Sequence, residues 1–251
     1  MSFFLQKESI QKLISTDKFL LFGIALFGNV LPFNLISLSE MHVDSIVAST
    51  LIGTMPLFTL LISFSIFRNT NLSFLSLLGL LTGFFGMIVF INITKFSFES
   101  DIVIFSSLIL FSAFLYGFSA NLVKKVEICS SLEIATLSTI LATILSFPVM
   151  IVDIFFIRTF MNDVLGEITF RSFASATILG IICTGLAIVI FFHLIKIKNA
   201  VFASQSNYLI PCFGSLWGFL FLKETLSLNM LYGLLLIVFG GWLVNRSMTN
   251  K

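Results

Sequence analysis

The side chains best placed to do chemistry in this chain are neutral and polar, and they cluster in "ASQSNYLIPCF", residues 203–213. Within this stretch Ser204, Asn207 and Tyr208 recur at three- and four-residue steps, so they share one face of a helix. The stretch lies in a segment apolar enough to cross a bilayer, where an unpaired polar group is costly. Hydroxyl, amide and phenol groups in this position predict hydrogen bonding to a small polar solute.

Packing is the alternative interpretation of each of these residues. Small polar side chains join membrane helices, and an amide that bridges two helices contributes about 0.6–2 kcal/mol. Five consecutive polar side chains, from Ser204 to Tyr208, are more than one neighbouring helix can satisfy, so the cluster as a whole favours a cavity lining. Aromatic walls would complete such a pocket. The predicted substrate-binding residues are Ser204, Asn207, Tyr208, Tyr116, Asn121 and Trp217.

The charged and nucleophilic residues argue against catalysis. The acidic residues lie in or beside predicted loops or at helix ends, so no carboxylate relay crosses the membrane. No nucleophile has a base beside it, and Cys129, Cys183 and Cys212 sit singly, without metal-ligand spacing. We expect no catalytic residue, no metal site and no cofactor, and therefore not an enzyme. The net charge of +2 is too small to predict nucleic-acid binding.

The composition requires a membrane around these residues. The chain is 58% hydrophobic and 10% charged, whereas a soluble domain carries roughly 25% charged residues. A helix needs about 20 apolar residues to cross the hydrocarbon. The stretches that qualify are 19–39, 44–66, 73–93, 102–123, 133–156, 173–195, 200–222 and 228–245. The predicted fold is an all-α polytopic membrane protein with about eight transmembrane helices.

The charges of the loops predict the orientation. With the N-terminus in the cytoplasm, ten of the 14 Lys and Arg residues lie on the inner face, as cytoplasmic loops require. The four on the outer face are Lys95, Arg158, Arg171 and Lys223. Residues 1–18 are then an amphipathic cytoplasmic lead-in, and residues 246–251 are a cytoplasmic tail. The 32 phenylalanines and the lack of a secretory signal pattern favour the inner membrane of a bacterial cell.

The proline-bearing polar stretch has a counterpart earlier in the chain. "SIVASTLIGTMPLF" (45–58) aligns with "AVFASQSNYLIPCF" (200–213) without a gap, which places Pro56 over Pro211. Proline removes a backbone hydrogen bond and bends a helix, so both positions are predicted bends. The second and seventh apolar stretches therefore correspond to each other.

Glycines extend this correspondence on both sides. Upstream, "GIALFG" (23–28) matches "GIICTG" (180–185). Downstream, the matched pairs are Gly79 with Gly233 and Gly86 with Gly240. The first three spans thus recur as the last three, and the five crossings between the two starts make the copies run in opposite directions. Such an inverted repeat is typical of secondary transporters, which bind solute near the midplane between the halves.

A longer pattern runs through the second half, from "FLYGFSANLVKK" (114–125) through "GIICTG" to "LKETLSLNMLYGLLLIVFGGWLV" (222–244). A glycine-rich helix, a basic turn, a helix with a central proline, a glutamate and a final glycine-rich helix follow one another. This order resembles the drug/metabolite transporter superfamily, EamA type. Pro211 and Glu224 match the proline and the glutamate of that family. Glu224 has two interpretations, a gate or a cap of the following helix.

The resemblance implies ten helices in two repeats of five, with a substrate cavity lined by the first four helices of each repeat. Here residues 102–245 form a complete second repeat of five helices, whereas residues 19–93 form a partial first repeat of three. The predicted inverted-repeat bundle is therefore 3 + 5 of the family's 5 + 5. The absence of two lining helices would leave the cavity with an open side.

The functional hypothesis is a secondary transporter that moves a small polar metabolite across the inner membrane by alternating access. The alternative is a truncated, non-transporting paralogue that acts as a membrane partner of a complete transporter. The expected partners are a small-molecule solute, the lipid bilayer, and either a second copy of the chain or another membrane protein. The sequence does not identify the solute, its direction of movement or a coupling ion.

Overall fold

A computed structural model of the chain describes residues 17–43, 45–68, 73–91, 100–127, 129–152, 170–210, 212–213, 220 and 228–249. The regular secondary structure of these residues is helical. The helices are α1 (Lys18–Ser39), α2 (Ser45–Ile52 and Met55–Ser65), α3 (Phe74–Ile91), α4 (Ser100–Lys125), α5 (Ser131–Val152), α6 (170–197), α7 (200–209) and α8 (Leu228–Thr249). The predicted all-α polytopic architecture is confirmed.

The helix lengths fit a bilayer. Six of the described helices, α1, α2, α4, α5, α6 and α8, are long and apolar enough to cross a membrane, and α3 is a shorter apolar helix. The predicted seventh span begins as α7 and continues into residues outside the described part of the chain. Most of the predicted lead-in, residues 1–18, also lies outside it. The count of eight crossings therefore stays a prediction.

Hydroxyl side chains inside these helices bond to the backbone of their own helix. Thr59 Oγ1 donates to Met55 O at 2.7 Å, and Ser39 Oγ donates to Leu35 O at 2.7 Å. Hydrocarbon offers no other partner, so a hydroxyl satisfied one turn back is tolerated at membrane depth. Serine and threonine have a weak intrinsic preference for helices. In hydrocarbon they still form helices, because the backbone groups find hydrogen bonds only within the segment.

Helix α4 connects the two parts of the bundle, because it packs against α1, α2, α6 and α7. At its crossing with α2, a Cβ on Gly117 would lie 3.0 Å from Thr59 N, so the glycine lets the two backbones approach closely. Asn121 Nδ2 donates to Thr59 O at 3.2 Å and to Gly117 O at 2.9 Å. Asn121, a predicted substrate-binding residue, is thus buried in a helix crossing.

Helices α3 and α8 cross antiparallel through their glycines. A Cβ on Gly79 would lie 2.7 Å from Gly240 O, and a Cβ on Gly86 would lie 2.9 Å from Gly233 O. Residue numbers rise along α3 while they fall along α8, which defines the antiparallel direction. Since the neighbouring atoms belong to the backbone, a larger side chain at these positions would push the helices apart.

This crossing has the symmetry that the predicted repeat requires. Gly79 matches Gly233 in the repeat and Gly86 matches Gly240, and each glycine packs against the counterpart of the other pair. A two-fold axis in the membrane plane produces such reciprocal contacts. The opposite directions of α3 and α8 agree with an inverted repeat, and the proposed division at residues 19–93 and 102–245 stays a prediction.

One end of the bundle carries the basic residues whose side chains the structure describes. Here α4 ends beside the end of α6, because Lys124 Nζ donates to Lys198 O at 3.2 Å. Lys125 Nζ lies 5.7 Å from the ring centroid of Phe67, which follows α2. The seven basic residues whose side chains are described are Lys18, Arg68, Lys124, Lys125, Lys196, Lys198 and Arg246. Each belongs to the start of α1 or to the end of α2, α4, α6 or α8.

The turn between α4 and α5 closes the same end. Ser130 N donates to Glu133 Oε2 at 2.8 Å, and Glu133 N donates to Ser130 Oγ at 3.3 Å, a capping box that starts α5. Burial raises the pKa of the Cys129 thiol, and the carboxylates of Glu133 and Asp17 add to the rise. A thiol with a raised pKa stays protonated and is a poor nucleophile.

Candidate functional site

A cavity of about 480 Å³ lies between α1, α2, α4, α6 and α7. Small-molecule sites have volumes of roughly 300–1,000 Å³. The lining helices come from both copies of the predicted repeat, α1 and α2 from the first and α6 and α7 from the second, with α4 beside them. The cavity is therefore at the seam where an inverted repeat places a binding site.

Two of the lining helices are widened by π-helical turns at the cavity. α1 has such a turn over Leu26–Val30 and α6 has one over Leu179–Leu186. The turns bring Asn29 and Thr184 to the cavity wall. In α1 the turn precedes Pro32, which has no N–H to donate to the carbonyl one turn earlier. π turns within helices are frequent at functional sites.

Two more lining helices, α2 and α7, are irregular at matched positions. α2 is interrupted at Gly53 and Thr54, immediately before Pro56, where a bend is predicted. α7 tightens into a 3-10 helix over Gln205–Leu209, which the repeat aligns with residues 50–54. The cavity-lining residues beside these breaks are Ile52, Met55, Ser206 and Asn207. Thus the four irregular helical segments of the described residues all reach this cavity.

Asn207 joins α7 to α2 at the seam. Its Nδ2 donates to Met55 Sδ at 2.7 Å. A thioether is a weak acceptor, so this bond satisfies the amide poorly. The amide group can therefore exchange its sulfur partner for a solute oxygen at low cost, which supports the predicted binding role of Asn207.

Asn29 is the least satisfied polar residue of the cavity wall. Its side chain is 8% exposed, and its Nδ2 has no hydrogen-bond partner among the described residues. More than 90% of buried polar groups in native proteins have a partner. The π turn of α1 holds this donor against the cavity, where a solute would supply the missing acceptor.

Aromatic and aliphatic groups form the rest of the wall. The rings of Tyr116 and Phe33 pack edge to face with centroids 6.4 Å apart. Phe191 and Phe192 of α6 face the same space, and no charged side chain lines the cavity in the described part of the chain. The cavity is therefore an apolar enclosure with a few neutral hydrogen-bonding groups.

Two further predicted substrate-binding residues lie away from the cavity. Ser204 is fully buried, and its Oγ donates to Val201 O at 2.9 Å. Tyr208 is 1% exposed, and its hydroxyl donates to Leu80 O at 3.0 Å. A Cβ on Gly83 would lie 2.7 Å from Tyr208 Cε2, so the ring packs directly on this glycine of α3. The Tyr208 hydroxyl joins α7 to α3, whereas the Ser204 hydroxyl bonds within α7.

The structure brings Tyr116 and Asn207 to the cavity. Three other residues singled out in the sequence, Pro211, Trp217 and Glu224, lie outside the described residues. It adds Asn29 and Thr184 to the candidate site. The signal for these two was the repeated glycine hexapeptide, because Asn29 follows "GIALFG" directly and Thr184 lies within "GIICTG". The matched hexapeptides contain Thr184 and end beside Asn29, but they did not distinguish a lining residue from a packing residue.

Comparison with known proteins identifies the family. The family model of EamA-like transporters matches residues 1–92 and 104–246. The chain belongs to the EamA-like transporter family. The predicted resemblance is therefore confirmed, and this EamA-like chain is a multi-pass membrane transporter.

One curated relative and one solved structure are similar to this chain. The EamA-like chain is 26% identical over 237 residues to "Uncharacterized transporter YoaV" of Bacillus subtilis (strain 168), covering 94% of this chain and 76% of the relative. It also matches a solved structure, titled "Crystal structure of protein", with a TM-score of 0.72 and 17% identity. That match covers 89% of this chain and 76% of the other. The solved structure shares the fold, and the names of the family and of the curated relative point to transport rather than catalysis.

Proposed function

We propose that this transporter moves a small polar metabolite across the inner membrane by alternating access. The observation that carries the proposal is the convergence of four irregular helical segments on one cavity. In transporters built from inverted repeats, discontinuous helices present free backbone groups to a solute near the midplane. Interruptions of this kind also give a helix a place to bend.

The movement follows from how the helices are paired. α2 and α7 meet at the seam through Asn207 and Met55, and both are irregular there. The two halves, the partial repeat 19–93 and the complete repeat 102–245, would rock about this seam and open the cavity to one side at a time. Asn207 and Tyr116 hold the solute during the change, since both line the cavity.

Both termini lie in the cytoplasm in this proposal. The seven basic residues with described side chains share one end of the bundle, which also holds the start of α1 and the end of α8. Positive charge marks the cytoplasmic side of multi-pass proteins. The residues predicted to carry the outer positive charges lie outside the part of the chain whose side chains are described.

Blocking the cavity tests transport. Ala187 lines the cavity from α6, whereas Ile190 of the same helix is 51% exposed and does not line it. Purified protein in liposomes is supplied with a pool of neutral and charged metabolites, and uptake is followed by mass spectrometry. We expect Ala187→Trp to lower uptake of the transported solute by more than about tenfold, because an indole fills the space that the solute needs.

Ile190→Trp is the matched control, and its uptake should equal that of the unmodified protein. Equal uptake by Ala187→Trp would show that solute does not pass through this cavity. If the protein alone moves no member of the pool in either direction, autonomous transport is rejected.

One observation favours a second function, that of a membrane partner of a complete transporter. A Cβ on Gly23 of α1 would lie 2.8 Å from Leu122 of α4, and one on Gly28 would overlap Ser119. Their repeat counterparts on α6 are Gly180, with no atom within 4 Å, and Gly185, which faces the backbone of its own helix. Of the residues in the membrane-spanning part of each helix, 39% are buried in α1 and 11% are buried in α6. On α1, this glycine face packs against α4 and α5. The corresponding face of α6 is thus uncovered among the described residues.

In this second function, a helix pair of another EamA-like chain covers that face of α6. The protein alone would then show no flux, and flux would appear when it is reconstituted with a complete member of the family. Gly180→Leu would weaken the association by blocking the close approach, and Leu186→Ile on the same helix would leave it unchanged. Full transport by the isolated protein would reject this alternative.

A further inference from the structure

We infer that the cavity recognises a neutral solute with a flat apolar body, whose carbonyl or amide oxygen accepts a hydrogen bond from Asn29 Nδ2. This inference rests on the proposed function, because it names the class of solute that the transporter would carry. Three features of the cavity support it: an unpaired donor, a wall without charges, and paired aromatic rings.

The unpaired donor calls for an acceptor. Asn29 is 8% exposed, and its Nδ2 has no partner among the described residues. Asn34, one turn further along α1, donates to Val30 O at 2.6 Å. An asparagine in this helix can therefore satisfy itself on the backbone, and Asn29 does not. A buried donor without a partner raises the free energy of the folded protein. An acceptor that comes from outside the chain removes this cost when it binds.

The absence of charge on the wall selects a neutral solute. No lysine, arginine or acidic residue lines the cavity among the described residues. Lys124 and Lys196 donate to backbone carbonyls at the basic end of the bundle. An ionised carboxylate brought into this cavity would lose its water without gaining a counter-ion, whereas a neutral carbonyl would pair with the amide.

The aromatic rings select a flat body. Tyr116 and Phe33 pack edge to face, and Phe191 and Phe192 lie on the opposite helix, α6. Edge-to-face rings prefer another aromatic face or edge at a similar spacing. Asn207, weakly bonded to Met55, offers a second amide to the polar end of such a molecule.

Three small probes of similar size separate these features. Benzamide has the flat body and a neutral acceptor, benzoate carries a charge at pH 7, and toluene lacks the acceptor. Binding is measured by calorimetry and by the shift in Tm, with the full chain in lipid nanodiscs. We expect benzamide to bind at least about tenfold more tightly than either of the other two probes, because only benzamide offers a neutral acceptor to Asn29.

Asn29→Leu removes the donor and keeps a similar shape. We expect this variant to bind benzamide about tenfold more weakly, with a Tm in the absence of ligand that is equal to or above that of the unmodified protein. A residue with a structural role would lower the Tm instead. Asn34→Leu is the matched control on the same helix, because Asn34 does not line the cavity, and its affinity for benzamide should be unchanged.

The inference is overturned if Asn29→Leu binds benzamide as the unmodified protein does, if benzoate binds as tightly as benzamide, or if benzamide produces no binding signal. These results are independent of the transport test, because binding in nanodiscs requires no flux. Loss of flux with the predicted binding pattern intact would reject transport and keep the solute class. Flux without the binding pattern would do the reverse.

Discussion

Asn207 and Tyr208 are consecutive polar residues, and they have different surroundings. Asn207 faces the cavity and bonds weakly to a thioether, whereas the hydroxyl of Tyr208 is buried against Leu80 O. Both had the same sequence evidence, a polar side chain in an apolar helix. The local 3-10 geometry of α7 turns neighbouring residues by about 120°, so adjacent side chains meet different helices.

The surroundings of Tyr208 predict a role in stability. Tyr208→Phe removes the bond to Leu80 O and should lower the free energy of unfolding by about 0.5–1.5 kcal/mol, while the KM for the transported solute stays unchanged. Thermal unfolding in detergent and uptake in liposomes measure the two effects.

Tyr232→Phe on α8 is the control for this prediction, since Tyr232 is 57% exposed and its loss should change neither quantity. A raised KM for Tyr208→Phe with normal stability would mean that Tyr208 binds the solute, as the sequence pattern predicted.

At the scale of helices, glycine has two different roles in this chain. Gly240 of α8 packs against Gly79 and Gly83 of α3, where the nearest atoms belong to the backbone. Among the described residues, no atom lies within 4 Å of the position of a Cβ on Gly180 of α6. The same residue type is therefore essential for packing in one helix and unconstrained in the other.

Alanine substitutions measure this difference between helices. Gly240→Ala places a Cβ 2.6 Å from Gly83 N, and we expect it to lower the free energy of unfolding by about 1–3 kcal/mol. Gly180→Ala meets no neighbour and should change stability by less than about 0.5 kcal/mol. Denaturation in mixed micelles gives both values.

A large loss of stability in Gly180→Ala would mean that α6 is covered in the membrane, which would favour the partner function. Unchanged stability in Gly240→Ala would contradict the close antiparallel crossing of α3 and α8.

At the scale of the whole molecule, the positive charges of the described side chains are confined to one end of the bundle. Lys124 and Lys196 donate to backbone carbonyls at one end, where the capping box of Glu133 also lies. The connection between α1 and α2, which contains Met41, lies at the opposite end. This separation gives the chain one preferred direction of insertion.

Labelling of introduced cysteines determines that direction. In a chain whose three native cysteines are replaced by alanine, we expect Met41→Cys to react with a membrane-impermeant maleimide in intact cells. Glu127→Cys should react only after the cells are permeabilised, since the positive end faces the cytoplasm. Both residues are exposed, so accessibility within the protein does not limit either reaction.

Reaction of Glu127→Cys in intact cells, with Met41→Cys protected, would reverse the orientation. Equal labelling of both positions would mean that the chain inserts in both directions.

The sequence alone determined the class of protein, the positions of most helices and the break of α2 near Pro56. Long apolar stretches must form helices in hydrocarbon, because every backbone group has to be satisfied within its own segment. The matched prolines and glycines marked the interruptions for a similar local reason. The break before Pro56 and the π turn beside Gly28 both lie where the repeat placed special residues.

The tertiary structure alone decided which polar side chains line the cavity. Helical periodicity gives the face on which Ser204, Asn207 or Tyr208 lies, but not the helix that packs against that face. Asn29 and Asn207 reach the same cavity although 178 positions separate them in the chain. A hydroxyl satisfied by a carbonyl of its own helix and an amide left unpaired have the same sequence signature, and what distinguishes them is the partner that the fold brings near.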